Sequence, residues 1–141
     1  MGVPMGSAVR KVGYRYVTTA DKPGEGARIL TTLRNSGINL MAFHAFPVGG
    51  GQSQLDFVPG DERAFEAWAR KENLQISGQK TVFLVEGDDR QGAMADLLGK
   101  LAAADTNVTA VDAIKAGPRF GALIWVKEAD VDKAAKALGA T

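Results

Sequence analysis

Asp21, Lys22, Gly24 and Asn39 are the residues of this chain whose types and spacing suit a small zwitterion. An aspartate can meet an α-ammonium group by a charge-assisted hydrogen bond. Free backbone N–H groups at the start of a helix favour a carboxylate. An asparagine amide brings both donors and an acceptor. All four lie in one stretch, residues 21–46, DKPGEGARILTTLRNSGINLMAFHAF. Each also has a plainer reading. Asp21 can cap its own helix or turn, Gly24 can permit close backbone packing, and Asn39 can stabilise a turn.

Other chemistries fit less well. His44 is the only histidine, and Ser53 and Asp56 follow it on the next predicted strand. Strand side chains alternate, so Ser53 and Asp56 point to opposite faces and cannot complete a triad with His44. A hydrogen-bonded structural histidine is the first reading, and a pH-sensitive interface residue the second. One histidine with scattered carboxylates does not make a zinc site. Gly49-Gly50-Gly51 lacks a following Lys-Ser/Thr, so it reads as a mobile hairpin tip and not a phosphate loop. Phe43, Phe57, Trp68 and Trp125 read as core. Gln54, Asp56, Leu123 and Trp125 do not make the aromatic and basic strand pattern of an RNA-binding sheet.

The bulk properties agree. The 141 residues can form one domain or two small ones. Seventeen Lys+Arg against 16 Asp+Glu give +1 with mixed signs, so nothing calls for nucleic acid. The absence of cysteine excludes disulfides, thiolate nucleophiles and Cys-ligated metals. No apolar run has membrane-spanning length and residues 1–13 lack a signal core, so a cytoplasmic protein is expected.

The elements that must position these residues follow from periodicity and turn chemistry. Residues 1–7 are small and Gly/Pro-bearing, and are expected to be ragged. Residues 14–19 are β-prone. The Asp-Lys-Pro-Gly turn leads into a helix with Ala27, Leu30 and Leu33 on its apolar stripe and Ile29 beside them. Gly37 suits the left-handed exit after that helix. Residues 38–46 and 52–58 read as a hairpin. Asp61 offers an N-cap to a second helix that buries Ala64, Phe65, Trp68 and Ala69. Residues 74–76 read as a short fourth strand, completing the β-α-β-β-α-β order of ferredoxin-like folds.

The pattern then recurs 68 positions on. Asp89 follows Asp21, Leu98 and Leu101 follow Leu30 and Leu33, and Asn107 follows Asn39, with no gap. Divergent tandem duplication is the simplest account. The predicted fold class is α+β: two ferredoxin-like βαββαβ units in tandem, with antiparallel sheets and helices on one face. Unit boundaries are expected at 14–79 and 80–141, after an N-terminal segment 1–13. In the second unit 81–86 is a strand and Met94, Leu97, Leu98, Leu101 and Ala102 mark a helix. Residues 107–115 and 121–127 form a hairpin, and 130–138 a last helix. Only three residues remain, so its fourth strand is missing or supplied from elsewhere, with 9–12 as a candidate. Strands 38–46 and 121–127 are apolar on both faces, so another repeat or subunit is expected to cover the face away from the helices.

These residues resemble a known family, the ACT domain, a small ferredoxin-like module that binds amino acids and regulates metabolic enzymes. The likeness rests on Asp21-Lys22-Pro23-Gly24, the helix after it, and Gly37-Ile38-Asn39-Leu40, which are similar to the family's D-x-P-G turn and G-I-N-I strand start. It covers roughly residues 14–138 as two modules. It implies a non-catalytic sensor that binds a free amino acid at an interface between modules, without a cofactor or metal. It implies ligand contacts from Asp21, Lys22, Pro23, Gly24, Asn39 and Met41, a homo-oligomer, and a metabolic enzyme as partner. A weaker second site would use Asp89, Gly92 and Asn107. There Gln91 replaces the proline, Asp105-Thr106 replaces Gly37-Ile38 and should resist a left-handed exit, and Asp88, Asp89 and Asp105 should disfavour a carboxylate. The alternatives are a structural or partner-binding ferredoxin-like protein without ligand, and a small ferredoxin-like enzyme using His44.

Overall fold

The computed structural model describes residues 7–141. The ragged start expected for residues 1–7 therefore falls, for 1–6, outside the described residues. The elements are β1 (Ala8–Ala20), α1 (Glu25–Asn35), β2 (Leu40–Gly49), β3 (Gln52–Pro59), α2 (Glu62–Lys71), β4 (Lys80–Asp88), α3 (Ala93–Ala103), β5 (Val108–Ala116), β6 (Arg119–Val126) and α4 (Val131–Leu138). A single 3-10 turn, Glu128–Asp130, precedes α4. The chain divides into two compact units, Gly13–Lys80 and a second that joins Thr81–Thr141 to the described residues up to Val12.

In the unit Gly13–Lys80 the strand order is β2-β3-β1 and both pairings are antiparallel. Val17, Leu55 and Phe57 from the strands meet Ile29 and Leu33 of α1 and Phe65, Trp68 and Ala69 of α2. Both helices therefore pack on one face of these strands. Trp68 Nε1 donates to Thr32 Oγ1 at 2.9 Å, which fixes α2 against α1. Asp61 caps α2 as its sequence implies, its carboxylate accepting from the Ala64 N–H at 3.0 Å. Arg15 adds a polar clasp: its guanidinium meets Glu62 at 2.9 Å and Glu66 at 2.7 Å, and donates to the Ser77 carbonyl at 3.3 Å.

Residues 74–76 do not form the expected strand. The segment runs beside β1, but only Ser77 closes a main-chain bond to it, through Tyr16 O at 2.9 Å. Ser77 Oγ takes the reciprocal place by accepting from the Tyr16 N–H. A side chain thus substitutes for the ladder there.

The second unit contains α3, α4 and the order β1-β4-β6-β5. Its core joins Val9 of β1 to Phe83, Val85, Ile124, Leu97, Leu101, Ala134 and Leu138. Lys11 N–H donates to Thr141 O at 2.9 Å, and Thr141 N–H to Val9 O at 3.1 Å. The first part of β1 thus lies beside β4, where a fourth strand of this unit belongs, and also bonds to Thr141. β1 begins at Ala8, not at 14 as periodicity implied, because Gly13 does not break it. A β-carbon at Gly13 would collide with the Gln79 side chain, so this site needs glycine.

Backbone detail repeats at the 68-residue offset. Gly24 and Gly92 are left-handed N-caps, φ 89° and 76°. Gly49 and Gly117 are left-handed at the hairpin tips. Register shifts occur at Leu40/Ala42 and at Val108/Ala110. Asp105, which was expected to resist the conformation of Gly37, adopts it: φ is 53° against 72°. Aspartate tolerates this region better than most residues with a β-carbon.

Candidate functional site

α1 begins without a side-chain cap. Gly24 occupies the N-cap position and its carbonyl accepts the first helical bond from the Arg28 N–H at 2.9 Å. The turn before it is tied to the hairpin of its own unit. Asp21 N–H donates to Gly51 O at 2.9 Å, and Ser53 Oγ donates to Asp21 Oδ1 at 2.9 Å. The Asp21 carboxylate thus holds the hairpin and does not cap α1. The glycine tip read as mobile is anchored at Gly51 by this main-chain bond.

These ties leave a pocket of about 160 Å³. Asp21, Lys22, Glu25 and Gly26 line it from the loop and helix, Thr19 and Ala20 from β1, Phe43 and Ala45 from β2, and Ser53 and Leu55 from β3. Phe43 is 39 % exposed and gives the pocket an aromatic wall. Glu25 accepts from Thr19 Oγ1 at 2.9 Å and pairs with Arg28 at 3.1 Å. The Arg28 hydrogen bond, then that of Thr19, holds its carboxyl below the usual range. The pocket therefore combines one cation, two carboxylates, an aromatic ring and a helix start.

Of the residues singled out by sequence, Asp21 and Lys22 line this pocket, and Gly24 and Pro23 lie exposed in the turn beside it. Asn39 is elsewhere. It lines a separate hollow of about 350 Å³ at the other end of α1, with Leu30, Leu33, Arg34, Gly37, Ile38 and Leu40. Its carbonyl accepts from the Gly60 N–H at 3.1 Å. Met41, 43 % exposed, follows on β2. Within one copy of the unit, Asp21 and Asn39 are not brought together. Thr19 and Glu25 were not singled out by sequence, Ser53 entered only as a rejected triad partner, and Phe43, read as core, is instead exposed at the pocket.

The equivalent place in the second unit is a pocket of about 290 Å³ lined by Asp89, Arg90, Gly92, Met94, Ile114, Lys115 and Phe120, among others. Asp89 N–H donates to Pro118 O at 2.9 Å, the counterpart of the Asp21 tie. The acidic pair is compensated: Asp88 meets Arg119 at 2.9 Å and Asp89 meets Lys115 at 3.8 Å. Asp105 lies beyond the far end of α3, so it adds nothing to the charge here. These two ion pairs offset the acidic charge at a loop that has Gln91 in place of the proline. Asn107, like Asn39, sits exposed at the far end of its helix, just before β5.

His44 faces Asp56 across the β2–β3 pair, while Ser53 turns to the other face and bonds to Asp21. The three do not converge. Among the described residues no group of three or more His, Asp or Glu could hold a metal ion. No helix there is long and apolar enough to cross a membrane.

No protein-family model matches the chain, and no curated protein matches it by sequence. Solved structures do. Protein BT0572 from Bacteroides thetaiotaomicron superposes with a TM-score of 0.78 at 17% identity, over 93% of this chain and 88% of that one. The ligand-free regulatory subunit of aspartate kinase from Thermus thermophilus gives 0.60 at 17% identity, over 95% of both chains. The corresponding subunit from Thermus flavus gives 0.59 at 16% identity, again over 95% of both. At these identities the likeness is one of fold, and the fold is that of the ACT-domain proteins to which the Asp21–Gly24 turn and the Gly37–Leu40 strand start are similar.

Proposed function

We propose that this chain is a non-catalytic regulatory or sensor protein built from two ACT-like units in tandem, and that it binds a free amino acid at the Asp21 loop. The observation that carries this reading is the pocket at the head of α1, where Asp21, Lys22 and Phe43 meet beside a helix start. Lys22 and the first helical N–H groups suit a carboxylate, and Asp21 an ammonium group. Pro23 fixes one dihedral of the turn, and Gly24 keeps the backbone open, since nothing lies within 4 Å of where its β-carbon would be. Asn39 and Met41 enter through a second copy. β2 is an edge strand, and two copies packed antiparallel along it bring the Asn39 end of one to the Asp21 end of the other. The exposed Met41 and Phe43 on β2 favour such a homo-oligomer. The second loop, with Asp89, Gly92 and Asn107, binds more weakly because it lacks the proline. The protein acts in the cytoplasm on a metabolic enzyme.

A second reading keeps the fold as a partner-binding module without ligand. On its side, Asp21 and Glu25 are already engaged by Ser53, Thr19 and Arg28. A thermal-shift screen of the purified chain against the common amino acids separates the two. One selective stabiliser supports the sensor; no shift with any of them leaves the partner-binding module. Light scattering should give at least twice the 14.9 kDa chain mass at micromolar concentration. A monomer would remove the shared site.

A further inference from the structure

The two loop pockets occupy equivalent places in their units and differ in chemistry. The strand registers fix which residue replaces which. Ser53 stands opposite Thr19 on β1 and Pro47 on β2; Phe120 stands opposite Gly87 on β4 and Lys115 on β5. Glu25 and Gly26 open α1, where Ala93 and Met94 open α3. The polar set of the first pocket, Thr19, Glu25 and Ser53, is thus replaced as a group by Gly87, Ala93 and Phe120. The exchange is concerted: a β-carbon at Gly87 would come within 3.1 Å of the Phe120 ring, so glycine makes room for the aromatic side chain. Met94, Ala113 and Ile114 complete an apolar lining, and the volume is about 290 Å³ against about 160 Å³ for the first pocket. The balance of charge inverts as well. Two acids and one base line the first pocket, Asp21, Glu25 and Lys22. One acid and two bases line the second, Asp89, Arg90 and Lys115. Phe120 cannot give Asp89 the hydroxyl that Ser53 gives Asp21; Asp89 instead has the Lys115 ammonium at 3.8 Å.

We propose that the second pocket takes a small apolar monocarboxylate without an amino group, and is not a weakened copy of the first. Lys115 and Arg90 receive its carboxylate. Lys115 is free to do so because its pairing with Asp89 is long and exposed, and Arg90 shares its charge with Asp96 at 2.6 Å. The hydrocarbon body lies on Met94, Ile114 and Phe120. An apolar lining with a few convergent polar groups is the usual make-up of a small-molecule site. Discrimination against the matching amino acid comes from Lys115, which already holds Asp89 and leaves a ligand ammonium group poorly paired. The inference refines the weak second site proposed above and stands whether or not the first loop binds an amino acid.

4-Methylpentanoate and leucine share a carboxylate and an apolar body and differ in the amino group, so they are the probes. The chain has four methionines; Met94 lines the second pocket and Met41 lies on β2. Methyl-labelled methionine in the full chain, assigned with Met94→Leu, therefore locates binding by NMR. 4-Methylpentanoate should move the Met94 methyl signal and leave that of Met41 in place, with leucine at least about tenfold weaker at Met94. Lys115→Gln should weaken 4-methylpentanoate by about tenfold or more, the loss of one charge-assisted bond. Asp89→Ala should tighten it, because Lys115 is then released. Both altered side chains are exposed, so the fold should survive, and unchanged melting curves check this. An unmoved Met94 signal at about 10 mM 4-methylpentanoate, equal affinity for leucine, or weaker binding in Asp89→Ala would overturn the proposal. Failure of the amino-acid reading shows elsewhere, in titrations of Asp21→Ala, and leaves these outcomes untouched.

Discussion

Asp105 holds φ at 53° at the exit of α3, a conformation that costs most residues with a β-carbon about 1–2 kcal/mol and aspartate less. Asp105→Gly should therefore stabilise the chain, by up to about 1 kcal/mol in urea unfolding. The contact that Lys133 makes there is to the main-chain oxygen and survives the change. Gly24→Ala should do the opposite and cost about 1–2 kcal/mol by conformation alone, since the space around it is open. Arg15 is the other single residue with large leverage. Its side chain is 15% exposed and ties Glu62, Glu66 and the Ser77 carbonyl to β1. Arg15→Ala should cost about 1.5–3 kcal/mol, the range for hydrogen bonds to charged groups, with the partners' own exposure holding it toward the lower end. At this level the sequence exposed two of the residues that line the loop pocket. Asp21 and Lys22 were legible because turn chemistry is local. Thr19, Phe43 and Ser53 reach the pocket from strands whose register no local pattern encodes, and an acidic residue in a first helical turn, as Glu25 is, has an ordinary explanation there.

The helices illustrate how far periodicity carries. In α1 the stripe read from sequence was Ala27, Leu30 and Leu33, but Ile29 and Leu33 are the buried pair while Ala27 is exposed and Leu30 half-buried. The set of apolar residues was right and its phase was off, because α1 turns toward Trp68 and Phe57. Leu33→Ala should cost about 2–5 kcal/mol in chemical unfolding, whereas Ala27→Ser should be nearly neutral, within about 0.5 kcal/mol. Equal effects would mean that α1 is seated in the other phase. α2 read correctly because its aromatics leave no choice of face and Asp61 fixes its start. Segment 74–79 and strand β1 were misread for one reason: Gly13, Ser77 and Gly78 are punctuation in a local reading, yet here glycine makes room for Gln79 and serine replaces a ladder bond.

For the whole molecule, the repeat offset of 68 residues, the two compact units and the paired left-handed positions describe one architecture. The large exposed apolar residues among those described, Met41, Phe43, Val48, Val111 and Ile114, all lie on β2 and β5. Such edges call for covering by another chain. The central claim is that the Asp21 loop holds an amino acid. A ligand at 100 times its Kd that binds only the folded state stabilises it by about 2.7 kcal/mol. Loss of one charge-assisted bond removes about 1.5–3 kcal/mol, so Asp21→Ala should abolish most of the gain and Asp89→Ala should leave most of it. The deciding measurement is calorimetric titration of the parent, Asp21→Ala and Asp89→Ala with the amino acid that stabilises the parent. The account predicts weakened binding, by at least about tenfold, in Asp21→Ala only. Undiminished binding in Asp21→Ala, or a loss confined to Asp89→Ala, would contradict it.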